Sequence, residues 1–290
     1  MSGEAASHID VRVDGAVGIL TMNRRERFNA MDPVMARDFR RAGLRLARDR
    51  EVRAVILCGT GGVFSSGADL KYIRAEGDVH DFAYLKPNGA TPNAGFGEWF
   101  KEILEYIHAT IGEIRRSPKP WIAAVDGIAA AGGLGIAMCC DLVFASERAV
   151  LEWAYHKTGL TGAESSTFFV PKLVGLRKAM ELILLNPRLS AREAKEFGLV
   201  NDVLPTDGFD DAVIGIAQRL AAGPTDAYGI TKQLVNQALG VEHLPFHMDR
   251  ELEELTRIAD GPDFAEGIRA FLEKREPVFG AAAGSGAERA

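Results

Sequence analysis

Between Ile9 and Pro205 short strand-like runs alternate with helix-like stretches, and after Phe209 only helical periodicity remains. That alternation constrains the fold more than any other feature. Strands separated by helices need crossover connections, which set the strands parallel in an α/β core. Ile9 to Val13 and Val17 to Met22, around Asp14-Gly15, have the spacing of a β-hairpin. Asp32-Pro33 reads as an N-cap with Pro at the first helical position, opening a helix to about Asp49. Ala54 to Cys58, Trp121 to Val125 and Leu142 to Ala145 read as buried strands. A helix is expected over Glu98 to Arg116, ended by Pro118 and Pro120. Ser190 to Glu193 forms a capping box.

Helices are then expected at Asp210 to Ala222, Ala227 to Leu239, Leu244 to Ala259 and Asp263 to Glu273. This places a boundary near residue 208, with a core over 1–208, a helical region over 209–280 and a frayed small-residue tail over 281–290. Arg74 to Gly97 is irregular, with Pro87, Asn88, Gly89, Pro92 and Asn93, and reads as a lid or binding loop.

Composition narrows the function classes. A net charge of −6 argues against a nucleic-acid partner. No long apolar run is free of Gly and charge, which argues against a membrane span. Met1 to Asp10 lacks the pattern of a secretory signal. Cys58, Cys139 and Cys140 have neither metal-ligand spacing nor a disulfide framework. Reduced thiols in a cytoplasmic protein, with no metal centre, are the expectation.

Two segments could carry chemistry. Phe64 to Leu70, FSSGADL, follows a strand and a Gly-rich turn, and its small residues let a ligand approach the main chain. Ala129 to Gly135, AAAGGLG, lies between a buried strand and an apolar helix, where free N–H groups point outward. Taken singly, the first also fits an ordinary strand-to-helix turn and the second fits tight packing of a helix on a sheet.

Together they resemble the two signatures of the crotonase (enoyl-CoA hydratase/isomerase) superfamily. FSSGADL is similar to FSAGADL, and the run IAAVDGIAAAGGLGIAMCCDLVFA from Ile122 to Ala145 resembles the second signature. Similarity continues through Pro171 to Val200 and closes at Phe271 to Arg275, covering about residues 9–280. The resemblance implies a spiral of ββα turns followed by a helical trimerisation region, in a homotrimer or dimer of trimers. It implies an acyl-CoA substrate, with coenzyme A arriving as part of the thioester and no permanently bound cofactor. It implies an oxyanion hole from the backbone N–H groups of Ala68 and Gly132. The CoA-contacting set would be Arg24, Arg27, Ser66, Asp69, Leu70 and Lys274, with Arg25 beside them.

The sequence departs from the hydratase pattern at both catalytic carboxylates. By position they fall on Gly135 and Tyr155, and neither can act as a carboxylate base. Isomerases with a proline-acid loop, and 4-chlorobenzoyl-CoA dehalogenases, carry an acid at the position of Ala163. Here the next residue, Glu164, is the candidate for isomerase-type proton transfer. His108 lies where the dehalogenases have an active-site His, and Ala154-Tyr155-His156 resembles their AWH. Glu152 is a reserve candidate. The leading expectation is an enolate-forming isomerase. Hydratase, decarboxylase or hydrolase activity on an aromatic or cyclic acyl-CoA, and non-catalytic acyl-CoA binding, stay open.

Overall fold

A computed structural model describes residues 8–75, 77–82 and 95–280. The expected lid residues Pro87, Asn88, Gly89, Pro92 and Asn93, and the tail 281–290, lie outside the described residues.

The chain opens with the expected hairpin, β1 (Ile9–Asp14) and β2 (Val17–Met22), in which Asp14 pairs with Val17. Helix α1 (Pro33–Arg48) follows. Asp32 caps it by accepting the Met35 N–H at 2.9 Å, and Pro33 sits in its first turn. Next come β3 (Ala54–Gly59), β4 (Val63–Ser65), α2 (Leu70–Arg74) and α3 (Phe96–Arg116). Then follow β5 (Trp121–Val125), β6 (Ile128–Ala130), α4 (Gly132–Met138), β7 (Leu142–Ser146) and β8 (Val150–Glu152). The core closes with α5 (Ser166–Val174), α6 (Leu176–Leu184), β9 (Leu189–Ser190), α7 (Ala191–Glu196) and β10 (Asp202–Leu204). Four helices complete the described chain: α8 (Phe209–Ala221), α9 (Thr225–Ala238), α10 (Leu244–Ala259) and α11 (Pro262–Glu273).

Two sheets result. One has the order β1-β2-β3-β5-β7-β10 and the other β4-β6-β8-β9. Among the described residues only the β1/β2 and β8/β9 pairs are antiparallel. The successive pairs β3/β4, β5/β6 and β7/β8 each give one strand to the first sheet and one to the second before the chain turns into helix, which is the expected ββα spiral. The central strands of the first sheet, β2, β3 and β5, are buried on both faces. Leu20, Met22, Val55, Leu57, Ala123 and Val125 face the main core, while Val17, Ile19, Ala54, Ile56, Ile122 and Ala124 face Phe209, Val213, Ala217 and Ala221 of α8. Strands covered on both sides read as continuous apolar runs, which is how they look in the sequence.

The Ser190 capping box forms in full, with its hydroxyl accepting from the Glu193 N–H and the Glu193 carboxylate accepting from the Ser190 N–H. Helix α3 begins at Phe96, two residues before the expected start, because Gly95 serves as its N-cap. The expected irregular segment is partly regular: α2 runs to Arg74 and a short 3-10 turn spans Val79–Asp81. Helix α10 packs along α3, and α11 packs on α2 and on the 3-10 turn Tyr155–Thr158. This packing carries the two last helices to the region where the signature loops meet.

Candidate active site

The first signature forms the β4–α2 turn. The Ser65 hydroxyl is buried, donates to the Asn29 carbonyl at 2.8 Å and accepts the Gly67 N–H at 3.2 Å. Met31 donates its N–H to Gly67 O at 2.8 Å, and Asp69 donates its N–H to Met31 O at 2.9 Å. This is a parallel bridge between Met31 and Ala68. It turns the Ala68 N–H the other way, where it meets no protein acceptor among the described residues.

The second signature forms the β6–α4 turn. Ala131 takes φ +47° and donates its N–H to Glu152 O at 3.1 Å. Gly132 is the first residue of α4, so its N–H has no intrahelical partner. The two turns touch. Gly67 has φ +90°, and a Cβ there would lie 3.0 Å from both the Gly132 N and the Ala131 Cβ. Two N–H groups without a protein acceptor among the described residues, those of Ala68 and Gly132, therefore sit on adjoining turns.

Glu164 comes to this place. It is 4% exposed, and a Cβ on Gly132 would lie 2.6 Å from its Oε1. A Cβ on Gly135 would overlap the Glu164 carbonyl oxygen and lie 2.9 Å from the Glu164 Cβ. The absent side chain at Gly135 is thus the space that the Glu164 backbone fills. Tyr155 donates its hydroxyl to Glu164 Oε2 at 2.5 Å and lies 3.1 Å from Ala163 O. The two positions that lack hydratase carboxylates are the ones that house and hold a different carboxyl.

Electrostatics follow from burial. Desolvation raises the Glu164 pKa from 4.5 to about 7, the Tyr155 hydrogen bond pulls it down, and Glu251 of α10 pushes it up. Burial pushes the Tyr155 hydroxyl far up, and the negative charge of Glu164 adds to that, so it stays a donor. Burial lowers the His108 pKa to about 4 against the opposing pull of Glu251, so the ring is neutral. His108 meets Glu164 through the backbone: its Nε2 accepts the Glu164 N–H at 3.1 Å. That bond assigns the ring proton to Nδ1.

The reserve candidate Glu152 is paired with Lys157 and, at 3.3 Å, with Arg188. The expected CoA contacts need one correction. Arg24 is buried, donating to Asp69 at 2.8 Å and to Ala30 O at 2.9 Å and pairing with Asp32 at 2.7 Å. Its guanidinium is consumed between the N-caps of α1 and α2 and is not presented to a phosphate. Arg27 forks onto the same Asp69 carboxylate at 3.0 and 3.1 Å and keeps about a third of its side chain exposed. Asp69 also caps α2 by accepting the Tyr72 N–H at 3.0 Å. Ser66 and Leu70 are half-buried in the same turn, and Arg25 and Lys274 are exposed. Among the described residues no cluster of His, Cys, Asp and Glu could hold a metal ion, and no helix is long and apolar enough to cross a membrane.

Sequence reasoning did not find Glu251, Ser165 or Thr167. Glu251 Oε2 accepts the Ser165 N–H at 2.8 Å and Oε1 accepts the Thr167 N–H at 3.0 Å, from a helix 86 and 84 residues further on. Only the His247/Glu251 spacing on one face of α10 hints at it, and surface helices share that pattern.

The family model described as enoyl-CoA hydratase/isomerase matches residues 12–91 and 101–282. The chain is 33% identical over 274 residues to 4-chlorobenzoyl coenzyme A dehalogenase-2 of an Arthrobacter species, covering 94% of each chain. It is 31% identical over 267 residues to 1,2-epoxyphenylacetyl-CoA isomerase of Escherichia coli K12, covering 92% of this chain and 96% of that one. The crystal structure of an enoyl-CoA hydratase from Mycobacterium avium subsp. paratuberculosis matches with a TM-score of 0.81 at 32% identity, over 95% of this chain and 99% of that chain. The signature turns, the ββα spiral and these matches agree that the chain belongs to the enoyl-CoA hydratase/isomerase (crotonase) family.

Proposed function

We propose that this chain binds an acyl-CoA, stabilises its thioester enolate with the Ala68 and Gly132 N–H groups, and shifts a double bond with Glu164 as the single acid–base. The observation that carries this reading is the buried Glu164 carboxyl beside Gly132, held near neutral pKa and hydrogen-bonded by Tyr155. A thioester carbonyl accepting both N–H groups gains negative charge on its oxygen when a neighbouring C–H is deprotonated. Preorganised donors in a dry site stabilise that charge. Glu164 takes the proton from one carbon and returns it to another, so one carboxyl suffices. Tyr155 occupies Oε2 and leaves Oε1 as the proton-transferring oxygen on the Gly132 side. A pKa of about 7 keeps both protonation states populated at neutral pH, which suits a group that must accept and then donate.

Ser66, Asp69 and Leu70 shape the turn that presents the Ala68 N–H, and Arg27, Arg25 and Lys274 supply cations for the CoA phosphates. Residues 209–280 serve as the assembly region of a homotrimer or dimer of trimers, a reading supported by exposed Ile230 and Leu234, four residues apart on one side of α9. Light scattering of the purified chain tests the assembly.

A second reading, an aromatic acyl group, is favoured by the two relatives named for chlorobenzoyl and phenylacetyl esters and by Trp153, whose ring centroid is 5.1 Å from that of Tyr155. Nucleophilic dehalogenation is disfavoured, because Ala163 replaces the nucleophile and its carbonyl already accepts from Ser166.

The deciding experiment incubates the protein in D₂O with 2-enoyl-, 3-enoyl-, aryl- and malonyl-type CoA esters and reads the products by mass spectrometry. Deuterium uptake or a double-bond shift, lost in Glu164→Gln, is the expected result. Addition of water, loss of CO₂ or release of the acyl group would replace this reading with hydratase, decarboxylase or hydrolase chemistry. Binding without change in any ester would make the chain an acyl-CoA-binding protein.

A further inference from the structure

Glu164 and Ser165 both adopt left-handed backbone, with φ of +50° and +60°, though neither is Gly or Asn. Each such residue is strained and persists only where the surroundings over-determine it. The surroundings here are two side chains from distant helices. His108 of α3 accepts the Glu164 N–H, and Glu251 of α10 accepts the Ser165 and Thr167 N–H groups, one on each oxygen. The Thr167 hydroxyl also donates to Glu251. Ser165 is the N-cap of α5 but makes no side-chain cap bond; the Ser166 N–H donates to Ala163 O, and the Thr167 N–H of the first turn depends on Glu251.

We propose that Glu251, acting with His108, clamps the Glu164–Ser165 turn and thereby aims the Glu164 carboxyl at Gly132, which makes Glu251 a positioning residue contributed by the C-terminal helices. This inference rests on the single-carboxyl reading above. Glu251 is 6% exposed and touches neither Gly132 nor the Glu164 carboxyl through any hydrogen bond, so its role is exercised through the turn. A carboxylate is the side chain this geometry needs. Three donors converge on two oxygens, and an amide in that place would point N–H at N–H. The charged and titratable groups around the clamp are His108 with Nε2 3.9 Å from Glu251, His247 at 3.7 Å, Asp249 on the same helix, and Tyr155 on the far side of Glu164. Since the His108 ring is neutral, its approach to Glu251 is a contact of shape and not an ion pair. The negative charge of Glu251 also opposes ionisation of Glu164. The same residue that aims the base therefore strengthens it.

The test compares wild type with Glu251→Gln, His108→Leu and His108→Gln in the deuterium-exchange assay, measuring kcat, KM and the pH profile, with Tm as a folding control. Glu251→Gln should lower kcat by about tenfold or more while KM changes by less than about twofold, as expected for misplacement of a reacting group. Its rate profile should move to lower pH, because the charge opposing Glu164 ionisation is gone. His108→Leu should also lower kcat, and His108→Gln, whose amide oxygen can accept the Glu164 N–H, should recover most of it. A folded Glu251→Gln with wild-type kcat and profile overturns the inference. So does a loss of rate that follows the unfolded fraction alone while the profile stays in place. Should Glu251→Gln not fold, the two His108 variants decide, and equal rates for Leu and Gln overturn the clamp. Glu164→Gln is run alongside: full exchange there overturns the single-carboxyl reading itself, whereas loss there with a wild-type Glu251→Gln overturns only the clamp.

Discussion

Replacing Glu164 with Gln keeps the side-chain volume and removes the ability to ionise. The consequence for stability can be worked from the structure. An unfolded chain ionises this carboxyl near 4.5, and the folded chain holds it neutral until about pH 7 because the site is desolvated. A raised folded pKa contributes stability that is fully present below 4.5 and is lost as pH rises through about 7. At about 1.4 kcal/mol per pH unit of separation, wild type should lose about 3 kcal/mol from this group between about pH 4 and about pH 8. The Gln variant has no such loss. Equilibrium urea denaturation of both proteins, at several pH values and one protein concentration, gives the difference directly. The two should converge in acid, and the variant should become the more stable by about 3 kcal/mol in mild alkali. Rate should move the opposite way, with exchange falling by about 10²–10⁴ in the variant. A stability difference that is flat with pH would refute the assignment of a neutral buried carboxyl at Glu164.

Tyr155→Phe removes the donor to Glu164 Oε2. Since that bond lowers the Glu164 pKa, the exchange-rate profile should move to higher pH. Gly135→Ala places a Cβ where the Glu164 backbone lies, so Tm should fall by an amount equivalent to about 1–3 kcal/mol and exchange should be lost. Arg24→Met leaves Asp32 buried without its cation and Asp69 with Arg27 alone, and denaturation should report a loss of about 3–5 kcal/mol. Arg25→Ala touches no such pair, and titration with CoA esters should show a weaker Kd at unchanged Tm.

Much of the architecture was legible in the amino-acid order, because its signals are local. The hairpin turn at Asp14-Gly15, the Asp32 cap and the Ser190 capping box are each complete within a few residues. Helix α10 lies at the expected Leu244–Ala259, since one amphipathic stripe defines it. The two signature turns stood out for a related reason: close backbone approach demands Gly and Ala at fixed spacing. The strands β4, β6 and β8 were not read, because three residues carry no periodicity and their pairing partners lie elsewhere in the chain.

The site divides along the same line. Glu164 could be named because the family resemblance puts an acid at the position of Ala163, one residue before it, while Gly135 and Tyr155 stand where the hydratase carboxylates would be. Nothing local shows that Gly135 is empty so that Glu164 can fill it, or that Arg24 is turned inward between two helix caps. The partners that decide the orientation of Glu164 are 56 residues before it, in His108, and 86 residues after Ser165, in Glu251. Short-range patterns determine which elements form. Burial, and with it the pKa of Glu164 and the strain of its turn, depends on which distant elements pack together, and only the tertiary structure supplies that.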